Sequence, residues 1–229
     1  PCGTGEDRRG AKGRRTRKNK RRHMRRQRMV TLEAILERNN LNRAYKQVKA
    51  NRGGPGVDGM TVDELLDYLR AHAVEIVETV KAGKYKPQPV RRVMIPKEEK
   101  GKFRPLGIPT AVDRVIQQAI AQKLSDEYEP VFSLHSHGFR PCRSCRTAID
   151  EALDIANQGY VWVVDLDLSK FFDTVNHSKL LQLLSDKLKD GRVVSLIHKI
   201  LRAPIQEGDK ITPCEIGTPQ GGPVSPVLA

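Results

Sequence analysis

The sequence predicts an α+β domain, on three observations. Helical and extended segments follow one another without the regular strand–helix–strand rhythm of a parallel sheet. Two short segments around a charged turn read as a β-hairpin, and long segments with apolar residues at helical spacing flank it on both sides. At 229 residues the chain can hold one large domain or two modest ones, with a real hydrophobic core.

Residues 1–30 are a basic arm, with 13 Lys and Arg against Glu6 and Asp7. The arm accounts for +11 of the total formal charge of +14, so the rest of the chain is close to neutral. Its core, "GAKGRRTRKNKRRHMRRQR", has almost nothing apolar to bury and is expected to be disordered on its own. Such a run fits a solvated tail or an expression remnant. It fits equally a polyanion-binding arm whose cations displace counterions from phosphates. No apolar face accompanies it, as a membrane-surface helix would need.

"VTLEAILERNNLNRAYKQVKAN" has helical spacing with a break at Asn39-Asn40, which predicts two short helices. "RGGPGVDG" is a Gly/Pro loop, and the following helix opens with a capping box from Thr61 to Glu64 and stops at Gly83. "VRRVMIP" and "KFRPLGIP", joined by "KEEKG", form the hairpin. Thr110 starts a further helix, and Arg143 to Gln158 forms another that ends at Gly159. Two helices follow, at about 177–190 and 192–203, divided by Gly191. A short β-region at about 204–217 leads into "GTPQGGPVSPVLA", where Ser225 and Pro226 begin one more helix. A chain that stops one turn into a helix is expected to be a piece of a longer protein.

No stretch approaches the roughly 20 apolar residues of a membrane span, and the arm has no secretory core. The expectation is a soluble, intracellular protein. Cys2, Cys142, Cys145 and Cys214 form no disulfide framework. The "CRSC" at 142–145 lacks a second ligand pair at knuckle spacing, with His135 and His137 on the wrong side at short range, so no zinc is expected. Two ordinary reduced thiols near a helix start are the simpler reading.

The segment "YVWVVDLDLSKFFD" carries the chemistry. Read as a buried strand, it places Val161, Val163, Asp165 and Asp167 on one face and Trp162, Val164, Leu166 and Leu168 on the other. The two carboxylates would then stand about 7 Å apart at the end of an apolar strand. Acids there are costly unless they pair with basic side chains or hold a cation. Hard oxygen ligands of this kind suit Mg²⁺, which takes one or two carboxylates and completes its shell with phosphate and water.

At these residues the chain resembles a known family. "DLDLSKFFDTVNH" is similar to the first catalytic motif of reverse transcriptases. "GGPGVDG", "IPKEEKGKFRPLGIPTAVDRVIQQAI", "HSHGFRP" and "GTPQGGPVSP" make the likeness specific to group II intron-encoded proteins. The motifs occur in family order over roughly Val30 to Ala229. The resemblance implies right-hand polymerase fingers with an incomplete palm, built of mixed helices and a small antiparallel sheet. It implies an N-terminal extension and fingers over 31–117, palm over 118–174, fingers again over 175–224, and the start of a further palm segment at 225–229.

By resemblance, Asp167 binds both of two catalytic Mg²⁺ ions with the main-chain carbonyl of Leu168, and Asp165 has a supporting role. Phe172 stands at the sugar gate that excludes a ribose 2′-hydroxyl. Lys97 and Arg104, with help from Lys102, grip the incoming triphosphate, and Gln220 contacts the nucleotide sugar beside Gly221-Gly222. Gly53 and Gly54 lie against template RNA, Arg140 and Arg143 contact the template backbone, and Asp113 and Arg114 form an ion pair bracing their helix. Arg21, Arg22, Arg25 and Arg26 of the arm bind RNA. The implied partners are group II intron RNA, template RNA, a DNA primer and deoxynucleoside triphosphates, without membrane, and a homo-oligomer is compatible with them.

The family's Tyr-x-Asp-Asp motif does not occur in these 229 residues. The resemblance therefore leads to a piece of an RNA-directed DNA polymerase and splicing maturase, inactive by itself. Two alternatives stand beside it: a degenerate maturase that only binds and helps fold intron RNA, and an unrelated basic RNA-binding module.

Overall fold

The computed structural model describes residues 30–96, 98, 101–218 and 221–228. In chain order the elements are α1 (Leu32–Ile35), α2 (Arg38–Ala50), α3 (Leu65–Lys81), β1 (Val90–Pro96), β2 (Phe103–Ile108) and α4 (Ala111–Tyr128). A 3₁₀ turn (Glu129–Val131) follows, then α5 (Cys145–Asn157), α6 (Phe171–Thr174), α7 (His177–Lys187) and α8 (Gly191–Leu201). The last elements are β3 (Ile205–Glu207), β4 (Lys210–Thr212) and α9 (Ser225–Leu228). This is the expected α+β class.

Local chemistry explains most boundaries. Thr61 and Glu64 bond reciprocally as expected, the Thr61 amide donating to Glu64 Oε2 at 2.8 Å, but in the turn that precedes α3, which starts at Leu65 without a side-chain cap; the chain leaves α3 through Gly83 in the left-handed region. Thr110 caps α4 by accepting from the Asp113 amide. Gly191 opens α8 and does not merely precede it, because Asp190 is its cap, accepting from the Arg192 amide at 3.0 Å. The same carboxylate accepts from the Leu32 amide at 2.9 Å, which ties the starts of α1 and α8 together.

The expected break at Asn39-Asn40 lies one turn earlier, at Leu36-Glu37, and both asparagines are inside α2. Asn40 is buried and fully used: its amide donates to the carbonyls of Ile35 and Ala119, and its oxygen accepts from Gln122. Tertiary hydrogen bonds override the weak helix propensity of the residue.

The core gathers α1, α2, α3, α7, α8 and α9 around α4. Ala119, Ile120 and Leu124 of α4 are wholly buried among Ile35, Leu65, Val193, Ile197 and Leu201. The sheet has the order β2-β1-β3-β4. β1 pairs antiparallel with β2, Ile95 opposite Arg104, and β3 pairs antiparallel with β4. The sheet is mixed and not wholly antiparallel, because β3 joins β1 in parallel through Val90 and Arg91.

One expectation is overturned. Residues 160–168 are neither a strand nor buried: Trp162 is 94% exposed and Leu166 89%. A strand exists only through a neighbour that takes its N–H and C=O groups, and among the described residues none pairs with this segment. The sheet is assembled elsewhere, from 90–108 and 205–212. The apolar residues of α5 are also uncovered, with Ile149, Leu153 and Ile155 all exposed.

Trp162 is the single tryptophan of the chain, so its fluorescence reports this directly. Emission should be solvent-like, readily quenched by acrylamide and little shifted by urea. Blue emission that moves to the red on unfolding would show instead that the segment is packed.

Candidate active site

The acid-bearing segment runs into a tight corner. After Leu168 the chain turns at Lys170, which is left-handed (φ 51°), and Phe171–Thr174 make one helical turn. Asp165 and Asp167 are exposed, and among the described residues neither makes a hydrogen bond or ion pair. Pairing with a basic neighbour, the simplest account of such acids, is therefore not observed. Their carboxylates and the Leu168 carbonyl are hard oxygen donors of the type Mg²⁺ takes. That carbonyl accepts from the Phe171 amide at 3.3 Å and retains a lone pair. Among the described residues no three His, Cys, Asp or Glu side chains gather to hold a metal, so the donor set fits Mg²⁺ in chemistry without closing a cage.

Phe172 is half-buried. It lines a cleft of about 360 Å³ with Phe139, Arg140, Pro226 and Val227, and its ring meets Phe171 edge-on at 5.9 Å. Its carbonyl accepts from the Thr218 amide at 2.7 Å, and the Gly217 amide donates to Val175 at 2.8 Å. His177 Nε2 lies 2.6 Å from the Gly217 carbonyl. The "GTPQGG" loop is thus fastened to the Phe172 corner. On its far side, a Cβ at Gly221 would stand 2.5 Å from the Gly107 carbonyl on β2, and one at Gly222 2.6 Å from Gln117 on α4. Gln220 itself lies outside the described residues.

The hairpin presents Arg104, exposed, opposite Ile95, and Lys102 is exposed at its turn. Lys97 lies outside the described residues, as do Arg21, Arg22, Arg25 and Arg26. The "RGGPGVDG" loop docks on the N-terminal half of α4. Gly56 is pressed against Thr110, where a Cβ would come within 2.6 Å of Thr110 Cα, and Gly53 lies against the Arg114 guanidinium.

Residues 95–229 match the family model described as reverse transcriptase (RNA-dependent DNA polymerase). The chain belongs to the reverse transcriptase family. Within it the likeness runs to intron proteins: the group II intron-encoded protein LtrA of Lactococcus lactis subsp. cremoris is 40% identical over 186 residues, covering 81% of this chain and 31% of that protein. An uncharacterized 91 kDa protein in the cob intron of Schizosaccharomyces pombe is 36% identical over 202 residues, covering 85% and 24%. The chain thus spans about a third or less of these relatives. In three dimensions it resembles a chain of a partial Cas6-RT-Cas1–Cas2 complex, at a TM-score of 0.57 and 23% identity, over 86% of this chain and 32% of that one.

Inside the reverse transcriptase fold, several polar residues hold loops in place. Asp113 and Arg114 do not form an ion pair. Successive helical residues do not face each other, and each side chain goes its own way. Asp113 accepts from Tyr85 Oη at 2.6 Å, Thr110 Oγ1 at 2.7 Å and the Gln88 amide at 3.1 Å. Arg114 donates to the Gly54 carbonyl at 3.0 Å. Gly53 and Gly54, expected against template, therefore have a visible task in seating their loop.

Arg140 is committed to its own loop. Its guanidinium pairs with Glu129 at 2.8 Å, donates to the Ser133 and Ser136 carbonyls, and lies over the Phe132 ring. Arg143 donates to the Leu134 carbonyl and is half-buried. His135 and His137 both reach Glu151 on α5, holding its carboxyl below the usual range, and His137 also meets Thr147. Neither histidine joins the exposed Cys142 and Cys145. Cys214 is buried, which pushes its thiol up and keeps it unreactive. Sequence reasoning assigned no role to His177, and its one signal was its place as the last residue of "DLDLSKFFDTVNH".

Burial raises the Asp113 carboxyl above its ordinary range, against three hydrogen bonds that lower it. Two of those partners are hydroxyls that can reverse their roles toward a protonated acid. Asp113→Ala should cost about 2–4 kcal/mol in urea unfolding, through stranded buried donors. Because the folded-state pKa is raised, the native state binds the extra proton. The stabilising contribution of Asp113 is then full below the ordinary aspartate range and falls as pH rises through the raised value. The stability gap between wild type and Asp113→Ala should narrow from pH 4.5 to pH 8; a gap that widens would contradict the assignment.

Proposed function

We propose that this chain supplies the fingers and the first palm segment of a group II intron-encoded RNA-directed DNA polymerase that also promotes splicing of its intron. The observation that carries the reading is the unpartnered Asp167 carboxylate on an exposed segment that leads into the Phe172 corner, to which the "GTPQGG" loop is bonded. Residues 31–117 and 175–224 are the fingers, 118–174 the palm, and 225–229 the start of its continuation.

In this reading Asp167 and the Leu168 carbonyl hold Mg²⁺, with Asp165 supporting. The metal would supply Lewis acidity toward a primer 3′-hydroxyl and a leaving pyrophosphate. The chain's own groups bind and orient. Arg104, with Lys97 and Lys102, neutralises the triphosphate from the hairpin. Phe172 and Gln220 bear on the sugar. Arg143 and the arm residues Arg21, Arg22, Arg25 and Arg26 bear on RNA phosphates. Arg140 acts chiefly by shaping the loop that carries Arg143. Residues 160–168 and the uncovered face of α5 receive further palm strands, which would satisfy the backbone and bury Trp162 and its neighbours. With no Tyr-x-Asp-Asp motif among its residues, this chain by itself does not polymerise.

Primer extension with Mg²⁺ should give no cDNA from the 229-residue chain. A full-length protein carrying it should extend an RNA-templated DNA primer, and Asp167→Asn should lower that activity by at least about a hundredfold. Product from the short chain would refute the open-site reading. Extension unaffected by Asp167→Asn would remove Asp167 from the site. RNA binding without extension by the full-length protein would leave a maturase alone.

Charge reversal of Arg21, Arg22, Arg25 and Arg26 should weaken intron-RNA binding. It should also flatten the dependence of log K on log salt by up to about 3. Unchanged affinity and slope would show that the arm does not bind.

A further inference from the structure

We propose that His177 is a positioning residue for nucleotide selection, fixing Phe172 and residues 217–218 as one unit. The role in selection rests on the polymerase reading above; the joint itself rests on geometry alone.

His177 is 7% exposed and is the first residue of α7, directly after the Asn176 cap, whose side chain accepts from the Lys179 amide. Its Nε2 is 2.6 Å from the Gly217 carbonyl. A carbonyl only accepts, so Nε2 carries the proton and donates. The Gly217 amide donates to Val175 and the Thr218 amide to Phe172, so three hydrogen bonds bind residues 217–218 to residues 172–177. The approach is one that only glycine permits. Gly217 has φ +85°, and a Cβ there would stand 2.9 Å from the carbonyl oxygens of both Phe172 and Asp173.

The consequence is mechanical. The Phe172 carbonyl is held by Thr218, so a shift of the loop shifts the backbone that aims the Phe172 ring. Of the three bonds, the one from His177 is the only one made by a side chain, and it comes from a helix that is itself packed through Leu184 into the core. A selection site needs its groups within fractions of an ångström of the productive geometry. His177 ties the Phe172 corner to a rigid element without touching the nucleotide. A residue that only filled space would be replaceable by any side chain of similar volume.

The test compares His177→Met, which fills the space without a donor, with His177→Gln, whose amide keeps one. Two readouts are needed: hydrogen exchange of the Gly217 and Thr218 amides in the 229-residue chain, and deoxyribonucleotide against ribonucleotide incorporation by a full-length protein carrying it. His177→Met should speed exchange of both amides, raise KM for deoxynucleotides and lower sugar discrimination by about fivefold to tenfold, with kcat less affected. His177→Gln should restore both readouts.

Unchanged exchange in His177→Met overturns the joint. Faster exchange with unchanged discrimination overturns the positioning role. A folded His177→Gln variant that loses discrimination as fully as His177→Met does so too. Faster exchange beside a wild-type protein that extends nothing overturns the polymerase reading, and with it the selection role, while leaving the joint intact.

Discussion

The structure depends on burying one helix almost all the way round and using its polar side chains to seat the loops around it. α4 carries Asp113, Arg114 and Gln117 at buried positions, beside Ala119, Ile120 and Leu124. Burying a polar group without a partner is costly. Asp113 and Arg114 are each bonded by a different loop, whereas Arg114 Nε and Gln117 Oε1 are buried without a hydrogen-bond partner among the described residues. Asp113 takes up the segment after α3, through Tyr85 and Gln88. Arg114 takes up the "RGGPGVDG" loop, and Gln117 stands against Gly222. Farther along, Gln122 reaches Asn40 of α2. A helix made only of Leu and Ala would have packed as tightly, but it would not have told these loops where to lie.

The region from 129 to 170 shows what happens away from that support. The 129–143 loop is organised by its own polar contacts, through Arg140 on Glu129 and the two histidines on Glu151. α5 is capped at Ser144 and terminated at Gly159, yet it buries no side chain. Local hydrogen bonding can thus define a helix and a loop, but it cannot supply a strand. Residues 160–168 have the composition of a core strand and, among the described residues, lack a neighbour, so the pattern stays unexpressed.

This contrast explains what could be read in advance. Caps, helix-ending glycines and hairpin strands are local features, and Thr110, Gly83 and Gly159 act as their types suggest, while the helix expected from Arg143 starts at Cys145 with Ser144 as its cap. The reverse transcriptase motifs were equally legible, since they are strings. What could not be read was every feature set by a distant partner. Asn40 sits inside a helix because of Ala119 and Gln122. Asp113 and Arg114 diverge because Tyr85 and Gly54 lie on different sides of α4. The buried strand failed for the same reason in reverse, because alternation says which residues would face a core and nothing about whether one is present.

The two ends of the "GTPQGG" loop bring these threads together. Gly217 and Thr218 are bonded to the Phe172 corner, and Gly221 and Gly222 are pressed on β2 and α4. The described ends are therefore fixed on different supports, one on the corner that follows the exposed acid segment and one on the well-supported body. On that geometry the Asp167 carboxylate is unpartnered among the described residues, while the Phe172 backbone is held by Thr218. On the polymerase reading proposed above, strands that pair with residues 160–168 would order Asp167 against a frame that already exists, and competence for chemistry would come from that pairing.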